Sequence, residues 1–188
     1  MWWPEMRMGV SRLLRLAVPF AAAGLLAGCF QPLYGEHSVA GGPSVRAKME
    51  SVDVAQIPAA NGSPESRLAV NIREHLLFGM GAEGKPVHPR YRLNITMTST
   101  RLSVVVDLTS ARPEVENYGI NATFQLVDLQ TNKVVVSDRT FARASYDIPG
   151  LEQRFAQQRG LRDAENRTAE VIADSIKNRL ASYFVTGS

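Results

Sequence analysis

The 188-residue chain has a single cysteine, Cys29. An intramolecular disulfide is therefore impossible, and no cysteine-based metal centre can form. The three histidines, His37, His75 and His88, are scattered and show no metal-ligand spacing. No serine sits in a G-x-S-x-G elbow. "GMGAEG" (79–84) follows a helical stretch rather than joining strand to helix, so it does not read as a phosphate loop. The carboxylates Asp163, Glu165, Glu170 and Asp174 fall on a helical pattern and read as its solvated face. These absences leave an expectation of no enzyme, no cofactor and no metal.

Long apolar runs are also missing. The longest, "LAVPFAAAGLLA" (16–27), is 12 residues. A membrane-spanning helix needs about 20, and Pro19 interrupts this one. Arg7, Arg12 and Arg15 precede it, and the small residues Ala27 and Gly28 follow. A basic start, a short apolar core and small residues at the end make a secretory signal peptide.

Directly behind it stands Cys29. The tetrapeptide Leu26-Ala27-Gly28-Cys29 resembles the lipobox of bacterial lipoproteins. That resemblance implies cleavage before Cys29 and acylation of its thiol. Two or more acyl chains hold a protein stably on a bilayer. Phe30, not Asp, comes next, which in that sorting system implies the outer membrane. Residues 1–28 carry three arginines and one glutamate, so the chain from Cys29 falls from a net charge of +3 to +1. Nucleic-acid binding thereby loses the basic field it needs.

The organisation predicted is a signal peptide (1–28), a lipidated tether (29–50) and one α+β domain (51–188). "SVDVAQIP" (51–58) reads as a short strand ended by Pro58. Ser63-Pro64-Glu65 opens a helix with an N-cap, an N1 proline and a favourable first-turn charge. Leu68, Ile72 and Leu76 give it an apolar face. "RYRLNITMTSTRLSVVVD" (90–107) reads as a strand that begins with clean alternation: Tyr91, Leu93, Ile95 and Met97 one way, Arg92, Asn94, Thr96 and Thr98 the other. "NYGINATFQLVDL" (117–129) alternates likewise, and "DLQTNK" (128–133) turns it into a returning strand over 133–147. From Arg162 to Phe184 an amphipathic helix is expected, with Val171, Ile172, Ile176 and Leu180 inward. The order β-α-β-β-β-α predicts two helices on one face of a four-stranded sheet.

Several stretches together resemble the LPS-assembly lipoprotein family (LptE), in its alphaproteobacterial form. They are "GCFQPLYG" (28–35), "NYGINATFQLVDLQTNKVV" (117–135), "SYDIPG" (145–150) and "FAQQRGLRDAENRTAEVIADSIKNRL" (155–180). The resemblance implies two helices on a four-stranded sheet. It also implies an outer-membrane lipoprotein facing the periplasm, which plugs and helps assemble the LPS translocon β-barrel (LptD) and contacts lipopolysaccharide. An auxiliary lipoprotein of an ABC-type envelope lipid export system is the alternative; a peptidoglycan tether is a third reading.

No LPS-binding motif can be aligned, so contacts are assigned on charge and placement. Arg90, Arg92, Arg101, Lys133, Arg139 and Arg143 lie on strands or their turns and suit phosphates and carboxylates. The plainer reading is that they keep edges and surface soluble.

Overall fold

The computed structural model describes residues 43–82, 86, 88–106, 113–148 and 154–187. Cys29, the signal segment and most of the expected tether lie outside them.

The first described element differs from the sequence reading. The tether was expected to run to residue 50, but Val45–Glu50 form a one-and-a-half-turn helix, α1. The Ser44 hydroxyl caps it, accepting from Ala47 N at 3.2 Å. Its purpose is packing: Met49 is buried in the core, and Lys48 Nζ donates to the Phe184 carbonyl at 3.1 Å. The preceding Gly-Gly-Pro composition hid this helix, because a single turn carries too little periodicity to be seen.

Strand β1 is Val52–Val54, all three residues buried. Helix α2 is Pro64–Gly79. Ser63 caps it through a bond from Ser66 N at 3.2 Å, with Pro64 in the first turn. It stops at Met80–Ala82. Gly81 takes φ +71° there, and Ala82 N reaches back to the Leu77 carbonyl at 2.9 Å. That is the 6→1 bond of a glycine-terminated helix.

Three long strands follow: β2 (Tyr91–Val106), β3 (Pro113–Asp128) and β4 (Lys133–Asp147). The sheet order is β1-β2-β3-β4, with β1 parallel to β2 and the other neighbours antiparallel. The β3–β4 turn is chemically specified. Asp128 Oδ1 accepts from Gln130 N at 2.8 Å and Thr131 N at 3.2 Å, while Asn132 takes a left-handed φ of +56°.

Helix α3 runs Arg154–Thr186, two turns longer at its start than periodicity alone suggested. Gly160 interrupts the pattern, but one glycine costs a helix only about 1 kcal/mol. Helices α2 and α3 cover one face of the sheet, as predicted. Leu68, Ile72 and Leu76 from α2 and Ile172, Ile176 and Leu180 from α3 meet Leu93, Ile95, Ile120, Phe124 and Leu126.

Two assignments on α3 are corrected. Val171, expected inward, is 51% exposed. The buried positions beside Ile172 are the small Ala169 and Ala173, which let the helix approach the sheet and α2 closely. Glu165, expected on the solvated face, is 1% exposed. It lies at the α2–α3 contact, where Arg67 Nη2 donates to its Oε2.

Candidate functional site: the uncovered sheet face

Because both long helices sit on one side, the opposite face of the sheet has no cover among the described residues. Strand alternation fixes what it displays. β2 contributes Arg92, Asn94, Thr96, Thr98, Thr100 and Leu102; β3 contributes Asn117, Asn121, Thr123 and Gln125; β4 contributes Ser137, Arg139, Phe141, Arg143 and Ser145. In register these form rows across the sheet: Asn94–Gln125–Ser137, Thr96–Thr123–Arg139 and Thr98–Asn121–Phe141. From Arg92 to Thr100 the face is polar, on β2 it ends in the exposed aliphatics Leu102, Val104 and Val106, and β4 carries Arg139 and Arg143 with Asp147 at its end.

The next row is Thr100–Gly119–Arg143. Gly119 sits in a crowded row. A Cβ there would lie 2.9 Å from Thr100 Oγ1, so that hydroxyl would have to move, and 3.4 Å from Arg143 Cγ, at the edge of ordinary contact. Its missing side chain lets the Arg143 stem lie across the strand. Arg143 Cζ then sits 5.9 Å from the centre of the Phe141 ring. Phe141 is 69% exposed, a large apolar ring in the middle of a polar surface. Neither Arg139 nor Arg143 forms an ion pair among the described residues.

The six cations singled out in the sequence are thus separated by the fold. Arg139 and Arg143 share the uncovered face. Arg92 also lies there, at the β1 end, tied to Asp53 at 3.3 Å. Arg90 precedes β2, 3.7 Å from Asp128 and 5.5 Å from the Tyr91 ring. Arg101 points to the helix-bearing side, its Cζ 6.0 Å from the Tyr118 ring. Lys133 opens β4 at the turn. Phe141 went unremarked in the sequence, although the alternation of Ala142, Ala144 and Tyr146 inward already points it outward.

The titratable groups on the helix side are structural. Burial raises the Tyr118 and Tyr91 hydroxyls, and burial with the adjacent Glu116 carboxylate pushes Tyr146 up to about 12. Tyr146 Oη donates to Glu116 Oε2. Glu65 is held below the usual carboxylate range, chiefly by its own backbone N–H at the start of α2 and then by Ser99. A shallow groove of ≈ 290 Å³ between residues 56–61 and α2 presents Arg67 and Arg73, but both are engaged. Arg67 pairs with Glu165, and Arg73 Nε donates to the Val54 carbonyl at 3.1 Å. Among the described residues no group of three His, Cys, Asp or Glu side chains could hold a metal ion. None of their helices is long and apolar enough to cross a membrane.

No family model and no curated protein matches the chain. Solved structures do. A candidate lipoprotein from Caulobacter crescentus superposes with a TM-score of 0.59 at 19% identity, over 77% of this chain and 97% of that one. A minor lipoprotein from Acinetobacter baumannii gives 0.53 at 16%, over 72% and 94%. Rare lipoprotein B from Shewanella oneidensis gives 0.51 at 16%, over 71% and 96%. At these identities the likeness is one of fold: the described domain, two long helices on one face of a four-stranded mixed sheet, is built like these bacterial lipoproteins.

Proposed function

We propose that this chain is an outer-membrane lipoprotein, anchored through Cys29 and facing the periplasm. In this reading it plugs and helps assemble the LPS translocon β-barrel and contacts lipopolysaccharide on its way to the outer leaflet. It works as a binding subunit, without catalysis or cofactor. The observation that carries the reading is the uncovered sheet face. A four-stranded sheet with Thr, Asn, Gln and Arg on its bare side suits the polar lumen of a large barrel. Support also comes from the lipobox behind the signal segment and from the shared fold with lipoproteins, rare lipoprotein B among them. The cationic β4 row, Arg139 and Arg143, offers charge-assisted hydrogen bonds to phosphate and carboxylate.

The test is isolation of the full chain from outer membranes with its partners, together with depletion. A very large β-barrel should co-purify, and depleted cells should lose surface LPS and correctly assembled barrel. Normal surface LPS and normal barrel in depleted cells would favour the lipid-export reading instead.

A further inference from the structure

β1 covers only Tyr91–Leu93 of the sixteen-residue β2. Beyond Leu93, that side of β2 is a sheet edge. Tyr91 N donates to Ser51 O and Leu93 O accepts from Ala55 N, so alternate residues aim their main-chain groups that way. Ile95, Met97, Ser99 and Arg101 continue the row, and none finds a main-chain partner among the described residues. The other edges are engaged in part, and β4 also carries charge. On β4, Arg139 N donates to the Asp138 carboxylate at 2.8 Å, and the Ser145 carbonyl accepts from Arg167 at 3.1 Å. On β1, Arg73 occupies the Val54 carbonyl. Proteins block the edges they do not use. Here β2 is unblocked, and its stretch Leu93–Val106 has one charge, Arg101, and neither proline nor glycine.

We infer that the open β2 edge pairs with the β2 edge of a second copy of this chain, antiparallel, about a two-fold axis at Thr100. The occupant follows from the match of this edge to itself. With Thr100 facing Thr100 of the second copy, Ser99 faces its Arg101, Thr98 its Leu102 and Met97 its Ser103. No like charges meet. Ser99 Oγ is 3.0 Å from Glu65 Oε1, so each Arg101 arrives beside the Glu65 carboxylate of the other copy. Leu102, 66% exposed in one copy, gains a neighbour from the other. The bulge after Ser103 ends the pairing on each side. A two-fold contact uses both β2 edges at once, so the pairing closes at two copies. The inference does not depend on the proposed function.

The full chain in detergent should sediment as a dimer at micromolar concentration. Thr100→Cys should form an intermolecular disulfide on mild oxidation, because antiparallel partners that are not hydrogen-bonded bring their Cβ atoms close. Arg139→Cys, on the opposite edge strand, should not. Arg101→Glu should weaken the dimer about tenfold or more, and adding Glu65→Arg should restore it. Both variants carry their changes at the surface, and a thermal melt matching the parent certifies their fold. A monomeric parent, equal cross-linking at residues 100 and 139, or a dimer indifferent to Arg101→Glu would each overturn the inference.

Discussion

Arg67 on α2 reaches the buried Glu165 on α3, donating from Nη2 to Oε2, while Glu165 Oε1 has no hydrogen-bond partner among the described residues. The carboxylate is 1% exposed, and Arg67 is the cation that faces it among the described residues. Removing that arginine strands a buried charge. Arg67→Ala should destabilise the domain by at least about 2 kcal/mol, and adding Glu165→Leu should recover most of the loss. Urea unfolding of the two variants checks this; a double variant no better than the single would show that the pair is not where the cost arises.

On α3 the two aliphatic neighbours Val171 and Ile172 should behave oppositely. Ile172 is fully buried and Val171 half-exposed. Ile172→Ala should cost about 2–5 kcal/mol, and Val171→Ala should stay within about 0.5 kcal/mol. Comparable losses at both positions would contradict the helix orientation.

Binding of LPS should depend on the uncovered face. Arg139→Glu with Arg143→Glu should weaken LPS binding and flatten its salt dependence, while Lys133→Glu should do less. Titration of LPS at low and moderate salt measures this. If the double variant binds as the parent does, the cationic β4 row is not the contact.

Asp138 makes the domain acid-sensitive. The backbone N–H of Arg139, then the Arg179 guanidinium from α3, hold its carboxyl below the ordinary value. The folded state therefore binds this proton more weakly than the unfolded chain does. Its stabilising contribution is complete above the unfolded value and is lost as pH falls through the lowered folded value. Melting temperatures between pH 6 and pH 2 should fall less steeply for Asp138→Asn than for the parent. Parallel curves would remove Asp138 from the acid response.

Cys29→Ser should release the protein from membranes or leave it uncleaved. Mass spectrometry of membrane-extracted protein should find an acylated residue 29; an unmodified thiol there would defeat the lipid anchor.

Alternation made the strands legible in advance, because period-two patterning of Tyr91–Met97 and Tyr118–Leu126 survives whatever packs upon it. The Ser63-Pro64 start of α2 and the Asp128–Lys133 turn were readable because each depends on local chemistry. What escaped depends on distant partners. Glu165 looks like any surface carboxylate until Arg67, from another helix, arrives beside it. Val171 outranks Ala169 and Ala173 on hydrophobicity, yet close approach of α3 selects the smaller side chains. The six cations were indistinguishable as a list, and only the register shows that Arg139 and Arg143 share a face while Arg101 points to the other side.

The lengths of β2, β3 and α3 carry a consequence of their own. Sixteen strand residues extend about 50 Å, and the 33 residues of α3 also extend about 50 Å. A bilayer measures about 40–45 Å with its headgroups. Stood upright inside a barrel, one such domain would reach from the periplasm to the cell exterior. Its sheet and its long helix, packed together along that length, would then link the two surfaces through one continuous core.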